Sequence, residues 1–254
     1  MNNMRYFKTI LFFLMATILS QPLVAQTTSK PVYVIVHGAW GGGWAFKKVD
    51  SLLTETGSTV YRPTLTGQGE RVHLASPNVG LDTHIMDVVN TILYEDLTNV
   101  ILVGHSYGGM VVTGVADSIP DRIFKLIYID AIVPEDNESA FSIFEERYHR
   151  FKVVNGGIIP PWVSEGTSPP KDVPHPLKTW EDSISLKNPA RLEISTSYIL
   201  TVAKGAEPVL DDFASQAERA QQKGWSMFQL EADHNAQWSA PEEFVKMLKN
   251  IENN

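Results

Sequence analysis

The chain contains no cysteine. That absence excludes a disulfide framework, a thiol nucleophile and a lipid-anchored N-terminal cysteine, so the fold must be held by its core alone. Long apolar runs are also missing: the one near the N-terminus, Ile10 to Leu19, is shorter than the roughly 20 residues that span a bilayer. Positive charge is in deficit, with 21 Lys and Arg against 29 Asp and Glu and a net charge of −8. An acidic surface disfavours nucleic acid and anionic membranes as partners. No internal repeat or low-complexity tract interrupts the chain.

What is there begins with a leader. Arg5 and Lys8 precede the apolar run, and a polar break leads to Leu23-Val24-Ala25. That order reads as a secretory signal peptide over residues 1–25, cut near Ala25. Its removal takes the net charge from −8 to −10, because the segment holds two positive charges and no acidic residue. The expectation is an exported protein, periplasmic or extracellular, with no stable membrane anchor once the leader is gone.

Residues 26–254 are expected to form a single domain, since 43% hydrophobic and 20% charged residues are ordinary globular proportions. Short β-branched runs recur at Val32 to His37, Thr59 to Arg62, Val100 to Gly104, Phe124 to Asp130, Ser197 to Val202 and Ser226 to Glu231. Helical spacing lies between them, at Ala45 to Thr56, at Asp82 to Glu95 with Asp82 as cap, and after Ser239. Such alternation predicts an α/β fold with a mostly parallel central sheet and helices on both faces. Residues 134–192 break the rhythm, with no clear strand, many prolines and scattered aromatics. A stretch too long for a plain loop reads as a cap insertion over a site.

Gly104-His105-Ser106-Tyr107-Gly108, with Gly109 behind it, sits between the strand Val100 to Val103 and a helical run from Met110. A serine in a sharp strand-to-helix turn projects its hydroxyl above the sheet, the geometry of a nucleophile. A serine hydroxyl needs a base. Of the seven histidines, His234 follows the last strand and precedes the last helix, which puts it at the carboxyl edge of the sheet near Ser106. His37, His73, His84, His105, His149 and His175 read as structural.

The base needs a carboxylate behind it. Asp130, at the end of Leu126-Ile127-Tyr128-Ile129, is preferred over Glu207, with Asp211 and Asp212 more distant. An oxyanion needs two backbone donors. The amide of Tyr107 is one, and that of Ala39, in the glycine-rich His37-Gly38-Ala39-Trp40-Gly41-Gly42-Gly43, is the other. The same loop lacks the Lys-Ser/Thr ending of a phosphate-binding loop.

These segments, with Pro63-Thr64-Leu65-Thr66-Gly67, Leu81-Asp82-Thr83-His84, Asp87-Val88-Val89-Asn90 and Tyr128-Ile129-Asp130-Ala131, resemble the α/β-hydrolase superfamily. Within it they look like the branch of methylesterases, hydroxynitrile lyases and related bacterial esterases. The resemblance implies the α/β-hydrolase fold, an eight-strand-type sheet, a small cap, catalysis by Ser106 and His234, and Ala39 and Tyr107 amides as the oxyanion hole. Plant members carry their acid after the next-to-last strand, where this chain has Ala203 and Lys204, and Asp130 fits the bacterial pattern better. Hydroxynitrile lyases carry a lysine after the histidine, where this chain has Asn235.

The expected function is hydrolysis of small, apolar or aromatic carboxylic esters by a serine esterase, with no metal or organic cofactor. Trp40, Trp162, Trp180 and Trp238 are the expected substrate-binding side chains. A lyase acting on a carbon–carbon or cyanohydrin bond with the same residues, and a weakly catalytic binding protein, are the alternatives.

Overall fold

The computed structural model describes residues 30–148 and 150–254. The expected leader lies outside the described residues. Among the described residues nine strands appear in chain order: β1 (Val32–Val36), β2 (Thr59–Tyr61), β3 (Val100–His105), β4 (Ile123–Ile129), β5 (Val153–Val154), β6 (Gly157–Ile158), β7 (His175–Pro176), β8 (Ser195–Val202) and β9 (Ser226–Glu231). The helices are α1 (Lys47–Glu55), α2 (Leu81–Tyr94), α3 (Gly108–Ser118), α4 (Ala140–Ile143), α5 (Glu145–Tyr148), α6 (Lys178–Glu181), α7 (Ala214–Gln222), α8 (Ala236–Ser239) and α9 (Pro241–Glu252).

Six strands form one sheet in the order β2-β1-β3-β4-β8-β9, each pair parallel. Successive side chains of a strand point to opposite faces, and both faces here are covered. Tyr33, Ile35, Ile101, Val103, Ile127 and Ile129 pack with Val49 and Leu53 of α1 and Phe244 and Leu248 of α9. Val34, Val36, Leu102, Leu126 and Tyr128 pack on the other side with Val88 of α2, Val111 of α3 and Ala220 of α7. This double burial explains why β3 reads as an unbroken apolar run rather than an alternating one. Each large aliphatic side chain so buried is worth about 1.5–3 kcal/mol. A charged substitution at the fully buried Ile35 would break the lower layer.

The sheet has six strands among the described residues, not the eight-strand type expected, because β2 closes one edge and β9 the other. Helix starts also differ from expectation. Gly80, not Asp82, is the N-cap of α2, and the Asp182 carboxylate accepts from Leu81 N at 3.1 Å, a cap donated by the insertion. Asp82 lies in the first turn, where its charge meets the positive end of the helix. Ser239 ends α8, and α9 starts at Pro241 with Ala240 as N-cap.

The insertion is not strandless. β5, β6 and β7 pair antiparallel as a small second sheet, too short to show a period in sequence. A bidentate Arg219–Glu138 pair (2.5 and 2.7 Å) ties the start of the insertion to α7. Trp40 joins it to the glycine-rich loop, donating from its indole to Ile158 O at 3.0 Å and accepting from Val173 N at 2.9 Å.

Strand order reverses between β1 and β3, since the chain leaves β1 for one edge and β3 for the other. A crevice therefore opens beyond their carboxyl ends, the usual ligand position in open α/β sheets. No helix among the described residues is long and apolar enough to cross a membrane.

Candidate active site

Ser106 occupies the turn from β3 into α3 with φ +54°, a left-handed conformation that costs a non-glycine residue of order 1–3 kcal/mol. Two hydrogen bonds onto its carbonyl oxygen hold it there, from Gly109 N at 3.1 Å and Ile132 N at 3.0 Å. The turn closes because two neighbours lack side chains. A Cβ on Gly108 would stand 2.7 Å from Val36 O, and one on Gly109 2.1 Å from Ile132 O.

Asp130 follows β4 directly and also has positive φ, +42°. It is fully buried. Its Oδ1 accepts from Thr201 N at 2.8 Å, and its Oδ2 lies 3.0 Å from His234 Nδ1. A carboxylate can only accept, so Nδ1 carries the proton and Nε2 is left as the acceptor. That nitrogen lies 3.1 Å from Ser106 Oγ. The His234 ring stacks on Phe213 at 4.8 Å and 10°. The loop that carries it is tied by Ser239, whose hydroxyl donates to Asp233 Oδ1 at 2.9 Å.

The structure thus brings together Ser106, His234 and Asp130. Glu207, Asp211 and Asp212 stand around a separate space of about 430 Å³ that Asp130 and His234 also line. The carboxylate that accepts from His234 Nδ1 is that of Asp130. Burial raises the Asp211 carboxyl above its ordinary value.

The two expected oxyanion amides, Ala39 and Tyr107, donate to no other described residue, whereas Trp40 N donates to His175 Nδ1 at 3.2 Å. His37 braces the loop: its Nε2 accepts from Leu65 N at 3.1 Å, so its Nδ1 donates to Gly38 O at 2.7 Å. Burial lowers His37 to about 4, where it is neutral at pH 7. His84 and His175 are buried in the same manner, His84 against Thr66 O and Tyr107 OH, His175 against Thr179 Oγ1.

A cavity of about 410 Å³ opens over Ser106 and His234. Of the four tryptophans expected to bind substrate, Trp40, Trp162 and Trp238 line it, and Phe46 joins them. Trp180 does not. It is 5% exposed and packs against Phe151 and Tyr107 at 5.1 and 6.1 Å, so it anchors the insertion instead of meeting the cavity. Sequence reasoning missed Asp172, a carboxylate on the cavity wall, because nothing in an irregular segment marks which side chains face inward. It also missed that His105 donates to His234 O at 2.8 Å. Among the described residues, no three His, Cys, Asp or Glu side chains are grouped to hold a metal.

Comparison with known proteins fits this geometry. A carbendazim hydrolyzing esterase from Nocardioides sp. (strain SG-4G) is 52% identical over 111 residues, 44% of this chain and 46% of that protein. Methylesterase 2 of Arabidopsis thaliana is 27% identical over 129 residues, 49% of this chain and 48% of its own. The chain spans about half the length of these curated relatives. An extracellular alpha/beta-hydrolase from Paenibacillus species superposes with a TM-score of 0.71 at 22% identity, covering 87% of this chain and 98% of that one, which shows a shared fold. The model of the alpha/beta hydrolase family matches residues 33–247, and the chain belongs to that family.

Proposed function

We propose that the chain is a serine hydrolase that cleaves carboxylic esters of small molecules with an apolar or aromatic part. The observation that carries this reading is the continuous relay from Asp130 Oδ2 through His234 to Ser106 Oγ, with contacts of 3.0 and 3.1 Å, at the mouth of an aromatic cavity. The esterase names of relatives support it.

Ser106 Oγ attacks the ester carbonyl while its proton passes to His234 Nε2, and the new imidazolium is stabilised by the buried Asp130 carboxylate. The oxygen that gains charge is met by the Ala39 and Tyr107 amides. His234 then protonates the departing alkoxide, giving an alcohol and an acyl-Ser106. Water loses a proton to the same nitrogen, attacks the acyl carbon, and frees the acid and Ser106. Every proton is carried by these groups and water. Export to the periplasm or beyond belongs to the same reading, on the strength of Arg5, Lys8 and the apolar run that follows.

The test is a panel of short-chain aryl esters with the mature protein. Ser106→Ala is expected to lower kcat by at least about 10³-fold with an unchanged circular dichroism spectrum, and an organophosphonate probe to label Ser106. Unchanged turnover in that variant refutes the assignment. Aldehyde release without ester cleavage would point to the lyase chemistry instead.

A further inference from the structure

Among the described residues one carboxylate walls the cavity over Ser106, and it belongs to the insertion. Asp172 stands there with Trp40, Trp162 and Trp238. Its Oδ2 accepts from the Trp162 indole at 2.7 Å, and no Lys, Arg or His among the described residues forms an ion pair with it. Burial holds its carboxyl above the ordinary aspartate value, opposed only by that indole N–H. The other ionisable rings of the wall offer no counter-charge: burial lowers His37 to about 4 and His105 to about 3, so both are neutral at pH 7. His234 is already engaged with Asp130.

A carboxylate taken partly out of water without a counter-ion is costly unless something pairs with it. Here the neighbours are aromatic rings. Trp40 and Trp162 meet edge to face at 5.1 Å, while Trp162 and Trp238 are 59% and 51% exposed, leaving ring surface open to a ligand. Indole faces attract cations through their quadrupole, most strongly where water is displaced. Aromatic walls with a single unpaired carboxylate form a receptor for a compact organic cation, and a net charge of −8 adds long-range attraction of the same sign.

We infer that the cavity selects esters whose acyl or alcohol part carries a cationic nitrogen, an ammonium or quaternary ammonium group, seated between Asp172 and the Trp40, Trp162 and Trp238 rings. Turnover of such esters rests on the serine-hydrolase reading, whereas binding of the cation does not. The charge leaves the chemistry at Ser106 unaltered and acts on which ester is held there.

The experiment uses choline and 3,3-dimethylbutan-1-ol, a pair of nearly equal shape that differs by the charge. Each is titrated into the Ser106→Ala protein with tryptophan fluorescence as readout. Choline is expected to bind at least about tenfold more tightly, which is about 1.4 kcal/mol. Asp172→Asn, which keeps an acceptor for Trp162, is expected to bring the ratio near one. In the Ser106 protein, the kcat/KM ratio of acetylcholine to 3,3-dimethylbutyl acetate is expected to follow the same pattern. Equal affinity for the two alcohols, or a preference unmoved by Asp172→Asn, overturns the inference, and the first comparison decides even if that variant does not fold. A choline preference with no turnover of either ester upholds the cation site and sinks the esterase reading. Turnover of both esters without charge preference does the reverse.

Discussion

His105 Nε2 donates to the backbone oxygen of His234 at 2.8 Å, and the two rings lie 4.7 Å apart. The residue that precedes Ser106 therefore fixes the loop that delivers the imidazole. His105→Leu removes the donor while keeping apolar bulk. The expected result is a kcat on an aryl ester lower by about tenfold to a hundredfold with KM little changed, because misplacement of a reacting group acts on the chemical step. Steady-state kinetics beside circular dichroism checks it; loss of kcat only in step with loss of folded protein would contradict it.

Asp130 and Glu207 are separable by substitution. Asp130→Asn keeps the shape of a fully buried side chain but removes the charge that, in the proposed mechanism, stabilises the His234 cation. A fall in kcat of about 10³- to 10⁴-fold is expected. Glu207→Gln is expected to stay within about twofold, since no hydrogen bond joins Glu207 to His234. The reverse ranking would move the acid to the other strand end.

Stability should fall on mild acidification through the neutral histidines. Burial lowers His37 and His84 to about 4 and His105 to about 3. In the unfolded chain each takes a proton near pH 6.5. Between these limits the unfolded state binds more protons, so stability rises with pH there: it is complete above about 6.5 and lost as pH falls towards 4 and then 3. His37 and His84 each contribute on the order of 3 kcal/mol over their window, and His105 on the order of 5 kcal/mol over its wider one. Urea unfolding from pH 7.5 to 4 reads the slope, and it should shrink in His37→Asn or His84→Asn.

The tryptophans should divide into two kinds. Trp180→Ala opens a hole beneath the insertion and should cost about 3–5 kcal/mol. Trp162→Ala and Trp238→Ala, at more than half-exposed positions, should leave Tm within a few degrees and raise KM for aryl esters. Thermal melts and KM values on the same preparations decide the division.

The parts of this molecule readable beforehand are those whose signal is local. β3 with its following turn announced Ser106, and the position of His234 after β9 followed from the alternation of strands and helices. Asp130 was legible only as one carboxylate among several, because the choice rests on the Thr201 amide and the His234 ring reaching it from 71 and 104 residues away. The α2 cap was misread for the same reason: the acceptor is Asp182, 101 residues from Leu81. Two-residue strands such as β5 carry no period to detect, and Trp162 and Trp180 have no flanking pattern that separates a wall from a wedge.

Ser106, Asp130 and His234 ride on the ends of β3 and β4 and on the loop after β9, with the hydroxyl and the imidazole 128 positions apart in sequence. No fragment ending before β9 can hold both, and no partly assembled sheet can align them. Regain of catalysis during refolding should accordingly lag behind recovery of secondary structure, making substrate hydrolysis a clock for the final docking event.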